Sequence, residues 1–255
     1  MKSSLKAKLK NKSLTIGSWI SLGHTSIAEI FANAGFDWVV IDLEHTTISI
    51  EQAGELIRVV DLAGSAPLVR LTSIDPNQIK RVMDAGAHGI VVPSVNSPSD
   101  AELAVSSTRY GPHGIRGVGL GRAQAYGSSF KDYLEWQKTE PVVIVQIEHK
   151  DSLDHLENIF SVSGVDGFLV GPYDLSCSMG IPGDFENPIF KKTMQKILDI
   201  AQKVGCPGGI HIVEPDEDRL RELINNGFLI IPYSVDQRML DVSSRNALSL
   251  VNNLK

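Results

Sequence analysis

Val142-Val143-Ile144-Val145-Gln146-Ile147-Glu148 is an apolar run closed by a carboxylate. The pattern returns in Phe168-Leu169-Val170-Gly171-Pro172-Tyr173-Asp174. It occurs earlier in Val39-Val40-Ile41-Asp42-Leu43-Glu44-His45 and in Pro67-Leu68-Val69-Arg70. Each run has the length and β-branched content of a strand buried on both faces, as in a parallel sheet. A charge closing such a run would be costly in a core but belongs naturally at a strand mouth, where parallel α/β folds assemble their sites. A histidine, an arginine and two carboxylates are therefore expected together at one end of the molecule, as in an enzyme.

Outward from these runs, strands and helices alternate along the whole chain. The predicted pairs are Thr15–Ser21 with Ser26–Ala34, Trp38–Asp42 with Ser49–Ala63, Ala66–Leu71 with Pro76–Ala85, and Gly89–Val92 with Ser99–Ser107. They continue as Val142–Ile147 with Ser152–Ile159, Gly167–Val170 with Pro188–Val204, Gly209–Ile212 with Asp216–Asn226, and Leu229–Ile231 with Asp236–Leu248. Asp75-Pro76 and Glu214-Pro215-Asp216 read as helix starts, with proline in a first turn where its missing N–H is harmless. Gly35, Gly86 and Gly227 read as helix stops that supply a left-handed residue. Eight βα units without a linker favour one (β/α)8 TIM barrel spanning residues 1–255. No GxGxxG turn follows the first strand, which argues against a dinucleotide-binding sheet. Two segments break the rhythm: an insertion over residues 108–140 and a Gly/Pro loop over 176–187. The insertion lacks the lysine and hydroxyl of a phosphate-binding loop, so it reads as a lid or a subunit-contact arm.

The 255 residues carry a net charge of −6, which argues against a nucleic-acid partner. The lysine-rich start, Lys2 to Lys12, is followed by no apolar stretch and reads as a solvated first helix rather than a signal or anchor. No membrane span is expected. The two cysteines, Cys177 and Cys206, form no CxxC pair and suggest no disulfide framework, so the cytoplasm is the expected compartment. Nothing marks Cys177 as an activated nucleophile.

Glu148 and Asp174 close consecutive strands, so neighbouring mouths would bring them together. Two like charges so placed share a proton or bind a cation. With only two protein carboxylates, the other coordination positions fall to water or substrate oxygens, which suits Mg²⁺ or Mn²⁺ better than zinc. A paired acid and base for glycoside hydrolysis would use the same carboxylates but leaves Arg70 without a role. The planar fork of Arg70 suits a carboxylate, as a metal-chelated 2-oxo acid would present. His45 follows Asp42 and Glu44 and is the candidate base for a C3 proton of pyruvate. His24 and His211 also fall near strand mouths. No lysine closes a strand, Lys150 lying beyond one, which disfavours a Schiff-base mechanism.

The strings Gly17-Ser18-Trp19, Asp42-Leu43-Glu44-His45, Leu68-Val69-Arg70, Asp84 to Pro93, Gln146-Ile147-Glu148 and Gly171-Pro172-Tyr173-Asp174-Leu175-Ser176 together resemble the class II pyruvate aldolases of the HpcH/HpaI family, the hydroxy-oxo-heptanedioate aldolases. The resemblance runs from about residue 14 to residue 240. It implies a pyruvate-binding (β/α)8 barrel, assembled as a homohexamer by exchange of the terminal helix. It also implies a Mg²⁺-, Mn²⁺- or Co²⁺-dependent lyase that reversibly cleaves a 4-hydroxy-2-oxo acid to pyruvate and an aldehyde through a metal-bound enolate. Carried over by residue, Glu148 and Asp174 are metal ligands, Arg70 holds the pyruvate, and His45 is the base with Asp84 as its partner. Gln146, Gly171 and Pro172 lie near the pyruvate oxygens, and Trp19 and Ile212 wall the aldehyde side. The stretch from Arg109 to Gly127 resembles the family's long loop. Gly208–Ile212 and Ile230–Asp236 depart from the family pattern where the aldehyde would lie, so they bear on which aldehyde is used rather than on reaction class. A CoA-thioester lyase or an oxo-acid decarboxylase on the same core, or a non-catalytic oxo-acid-binding barrel, are the alternative expectations.

Overall fold

Alternation of inward and outward side chains along eight parallel strands organises the molecule, described over residues 4–252 in a computed structural model. The elements are α1 (Leu5–Lys10), β1 (Thr15–Ile20), α2 (Thr25–Ala34), β2 (Trp38–Asp42), α3 (Ile50–Leu62), β3 (Ala66–Arg70), α4 (Pro76–Asp84), β4 (Gly89–Val92) and α5 (Pro98–Thr108). They continue with α6 (Phe130–Thr139), β5 (Val142–Ile147), α7 (Leu156–Phe160), β6 (Gly167–Val170), α8 (Pro172–Ser178), α9 (Pro188–Val204), β7 (Gly208–Ile210), α10 (Glu217–Asn225), β8 (Ile230–Val235) and α11 (Asp236–Asn252). The sheet order is β7-β6-β5-β4-β3-β2-β1-β8. Leu229 N–H donates to the Gly208 carbonyl at 3.0 Å, and Ile212 bridges Tyr233, so the two edges meet and the expected (β/α)8 barrel closes. Among the described residues no helix is long and apolar enough to cross a membrane.

Trp38, Val40, Leu68, Val91, Ile144, Leu169 and Ile230 form the apolar barrel interior. Their sequence neighbours Val39, Ile41, Val69, Ile90, Val143, Val145 and Phe168 face outward and pack beneath the helices. This alternation is the period-two geometry of a strand. Gly17 is required by it: a Cβ there would fall within the indole of Trp38, which is fully buried at the floor of the barrel.

The first helix differs from its expectation as a solvated element. Leu5 and Leu9 of α1 are buried against the interior residues and plug the barrel floor, while Lys6 pairs with Asp166 at 2.7 Å and Lys8 pairs with Asp37. The lysines dominate the composition, but the two leucines at four-residue spacing share the buried face. Helix α9 and strand β5 lie where predicted. The segment predicted as one helix over Ser152–Ile159 is a 3₁₀ turn, Lys150–Asp154, followed by α7. Helices α6 and α8 were not expected.

The 108–140 insertion folds at the strand N-terminal rim and is no lid over its own mouth. The buried guanidinium of Arg116 anchors it, bonding Asp84 Oδ1 at 2.7 Å, the Tyr133 hydroxyl at 2.9 Å and the Thr108 carbonyl at 3.1 Å. Arg122 pairs with Asp61, near the C-terminal end of α3, at 2.5 Å.

Candidate active site

Strand parity decides which side chains crown the barrel. Residues at even spacing from the interior set are Trp19 on β1, Asp42 on β2, Arg70 on β3, Gln146 and Glu148 on and after β5, Gly171 after β6, and His211 after β7. Trp19, Arg70, Gln146, Gly171, Pro172, Asp174 and His211 line one cavity of about 100 Å³ at this end. Parity places Ile212 off the small cavity and in the lining of a neighbouring cleft. It turns outward into a cluster with Ile210, Leu223, Phe228 and Ile231, and His211 and Val213 line the mouth in its place.

Arg70 is held from two sides. Its Nε and Nη2 donate to Asp42 Oδ1 and Oδ2 at 2.8 and 2.7 Å, a bidentate pair, and its guanidinium lies 4.5 Å over the Trp19 ring. Its Nη1 lies 3.2 Å from Glu44 Oε2. The fork is thereby locked in one orientation, and the residue lines the cavity.

Glu148 is 7% exposed. Its Oε1 accepts from the Ser94 backbone N–H at 2.6 Å and from the Ser94 hydroxyl at 3.2 Å, and its Oε2 accepts from Gln146 Nε2 at 2.8 Å. Ser94 reaches this position with a left-handed φ of 54°, an uncommon conformation for a residue other than glycine. Asp174 does not close a strand as predicted. It lies in the first turn of α8, because the chain leaves β6 at Gly171 and turns directly into that helix at Pro172. An ideal Cβ on Gly171 would meet Glu148 Oε2 at 2.9 Å and Asp174 Oδ2 at 3.7 Å, so both carboxylates converge on the space that glycine leaves open.

The rim thus holds Asp42, Glu44, Glu148 and Asp174 against one arginine. Burial pushes the Glu44 carboxyl up to about 7, with Arg70 opposing and the charges of Glu148, Asp42 and Asp174 adding to the rise. Burial likewise raises Glu148, with Asp174 adding and the Ser94 backbone hydrogen bond opposing. Among the described residues no three His, Cys, Asp or Glu side chains form a metal cage. The pair at Gly171 instead suits a hard cation that takes most of its oxygens from water or substrate. The buried Gln146 Oε1, which has no protein partner, supplies one further acceptor beside it.

His45 is on the loop after β2, 3.7 Å from Glu44 Oε2, with its side chain 65% exposed. Asp84, expected as its partner, is at the C-terminal end of α4. That helix runs antiparallel to the strands, so Asp84 lies at the opposite rim, paired with Arg116. Within one chain the structure does not bring the two together. His24 is an exposed cap whose Nδ1 accepts from Ser26 N–H at 3.2 Å. The residues that the sequence left unassigned are Ser94 and His211. Counting by twos along the seventh strand from Gly209 identifies His211, whereas no sequence signal marks Ser94.

Known proteins match the chain over nearly its whole length. Residues 15–241 match the model of the HpcH/HpaI aldolase/citrate lyase family. A 4-hydroxy-2-oxo-heptane-1,7-dioate aldolase of Shigella sonnei is 36% identical, covering 94% of this chain and 91% of the relative. A hydroxypyruvate/pyruvate aldolase of Sagittula stellata is 35% identical, covering 94% of each. The crystal structure of an HpcH/HpaI aldolase/citrate lyase family protein from Burkholderia cenocepacia superposes with a TM-score of 0.92 at 35% identity, covering 98% of this chain and 99% of that one. A closed parallel barrel, matched over residues 15–241 by the family model and at such identity by its members, makes the chain an enzyme of the HpcH/HpaI aldolase/citrate lyase family.

Proposed function

We propose that the chain is a divalent-metal-dependent aldolase that reversibly cleaves a 4-hydroxy-2-oxo acid to pyruvate and an aldehyde. The observation that carries this reading is the convergence of Glu148 and Asp174 on the open space at Gly171, the glycine that lines one small cavity together with Asp174 and the locked fork of Arg70. Glu148 and Asp174 would hold the cation, Mg²⁺, Mn²⁺ or Co²⁺, which supplies Lewis acidity at the 2-oxo group.

Each remaining step belongs to a side chain. Arg70 binds the carboxylate of the 2-oxo acid through the N–H donors that Asp42 and Glu44 leave free, and offsets negative charge that develops as the C3–C4 bond breaks. Asp42 and Trp19 keep that fork aimed, so little reorganisation accompanies reaction. Gln146 orients Glu148 through Nε2 and offers Oε1 to the bound substrate or its water. The glycine at 171 and the adjoining Pro172 leave room for the acid between the two carboxylates. His45 moves the proton to and from C3, with Glu44 beside it. Asp84, held at the far rim in one chain, has no position from which to assist its own His45.

Residues 1–255 act as one barrel domain on this reading, in the cytoplasm. The 108–140 insertion and α11 would supply subunit contacts of a homohexamer. Ile115, Val118, Leu120 and Tyr126 on the insertion, and Leu240 and Leu248 on α11, are exposed apolar side chains consistent with that role.

The reading is tested by incubating the protein with racemic 4-hydroxy-2-oxopentanoate and following pyruvate and acetaldehyde release by NMR. Release with Mg²⁺, Mn²⁺ or Co²⁺ and its loss in excess chelator are expected. Equal turnover with and without chelator would overturn the metal assignment.

A further inference from the structure

The imidazole of His211 lies where the small cavity adjoins a larger one. The cavity that holds Arg70, Gln146 and Asp174 shares Pro172, Tyr173, His211 and Val213 with a cleft of about 630 Å³ between α9 and α10. Phe190, Met194 and Leu223 give that cleft an apolar floor. On the aldolase reading the 2-oxo acid occupies the Arg70 side of the small cavity, which leaves the side lined by His211 for the aldehyde.

The ring of His211 is fixed in both position and tautomer. It packs 5.5 Å from the Trp19 ring, and its Nε2 lies 3.1 Å from the Ser234 carbonyl. A carbonyl oxygen can only accept, so Nε2 carries the proton and Nδ1 presents a lone pair. Ser234 cannot readily give way. It is fully buried at a left-handed φ of 55°, its N–H donates to the Ile212 carbonyl at 2.6 Å, and its hydroxyl donates to the Val213 carbonyl at 2.9 Å. Burial, with the Arg70 charge adding to it, pulls the imidazole down to about 4 against the Ser234 hydrogen bond, so the ring is neutral near pH 7. Among the described residues no side chain or backbone donor bonds Nδ1. A neutral, oriented acceptor with no protein donor thus sits on a residue that lines both cavities.

We propose that His211 Nδ1 accepts a hydrogen bond from a hydroxyl group of the aldehyde, which makes hydroxyaldehydes the acceptor class of this site. The proposal rests on the aldolase reading above. It concerns binding of the acceptor and leaves proton transfer at C3 to His45. A site that pairs a substrate hydroxyl discriminates against an analogue lacking it, because its own acceptor is then left unpaired.

The test compares glycolaldehyde with propanal, which replaces the hydroxyl by a methyl, as acceptors for pyruvate with Mg²⁺ or Mn²⁺. The wild-type protein should favour glycolaldehyde in kcat/KM, chiefly through KM of the aldehyde. His211→Leu should lower that ratio by about tenfold or more, while His211→Asn, whose Oδ1 can stand in for Nδ1, should restore part of it. The ratio cancels intrinsic aldehyde reactivity and any loss common to both substrates. His211→Met replaces the leucine variant if thermal melting shows that variant unfolded. A ratio within about twofold of wild type in the leucine or methionine variant would overturn the proposal. Deuterium exchange into the pyruvate methyl group of the wild type separates the two readings. Exchange with an unchanged ratio would sink only the role of His211, whereas no exchange under any metal would sink the aldolase reading and this proposal with it.

Discussion

Glu44 and His211 crown the same barrel and respond to pH in opposite senses. The folded state raises the Glu44 carboxyl from 4.5 to about 7, so it holds a proton there more tightly than the unfolded chain does. The stability tied to this group is complete below about 4.5 and is lost as pH rises through about 7. Glu44→Gln, measured by urea unfolding with chelator present, should therefore be about 1–2 kcal/mol more stable than wild type at pH 8 and equal to it at pH 4, the figure being discounted for partial solvent access. His211 has the reverse sign. Its folded value falls from 6.5 to about 4, so stability is complete above about 6.5 and is lost as pH drops towards 4. His211→Asn should flatten that acid limb by about 1–3 kcal/mol, and an unchanged limb would contradict the buried neutral ring. Arg70 was legible in the sequence because a charge stands out at the end of an apolar run, and Glu148 for the same reason. Glu44 and Ser94 were not. The first matters through its distance to charges on other strands, and the second through a backbone conformation that no residue type announces.

At the scale of elements, capping residues made helix boundaries readable, and tertiary burial decided the remainder. Pro188–Val204 carries proline at its start and Gly205 in a left-handed cap, and the helix has those bounds. Helix α8 was hidden because Gly171-Pro172 reads equally as a strand exit or a helix entry, and α6 because its aromatic residues follow a glycine-rich stretch. The plug α1 has the composition of a solvated helix because its lysines outnumber its two leucines. Leu9→Ala should cost about 2–4 kcal/mol in urea unfolding, since it opens a cavity beneath the barrel floor. The junction of β8 with α11 should be equally sensitive. Asp236, 1% exposed, accepts from the N–H groups of Ser21, Leu22 and Gln237 and so ties the barrel mouth to the last helix. Asp236→Ala should cost about 1–3 kcal/mol, because three backbone donors lose their buried acceptor together. A cost near zero would show that those donors find water.

For the whole molecule, period-two alternation repeated eight times explains both the closed barrel and the position of its site. That is why the fold was readable from the sequence while the aldehyde was not: closure depends on a repeated pattern, whereas acceptor choice depends on a few side chains around His211. The proposed assembly predicts sedimentation as a multiple of the 27.7 kDa chain. Leu120→Asp, which charges an exposed apolar contact of the insertion, should shift the species toward monomer, and a monomeric wild type would contradict the assembly. The central claim, however, is chemical and precedes any choice of aldehyde. Deuterium exchange into the methyl group of pyruvate, followed by NMR, tests it most directly. Exchange is predicted with Mg²⁺, Mn²⁺ or Co²⁺, with loss in excess chelator and a fall of about 100-fold or more in Glu148→Gln. Full exchange in the presence of chelator, or in the Glu148→Gln protein, would contradict it.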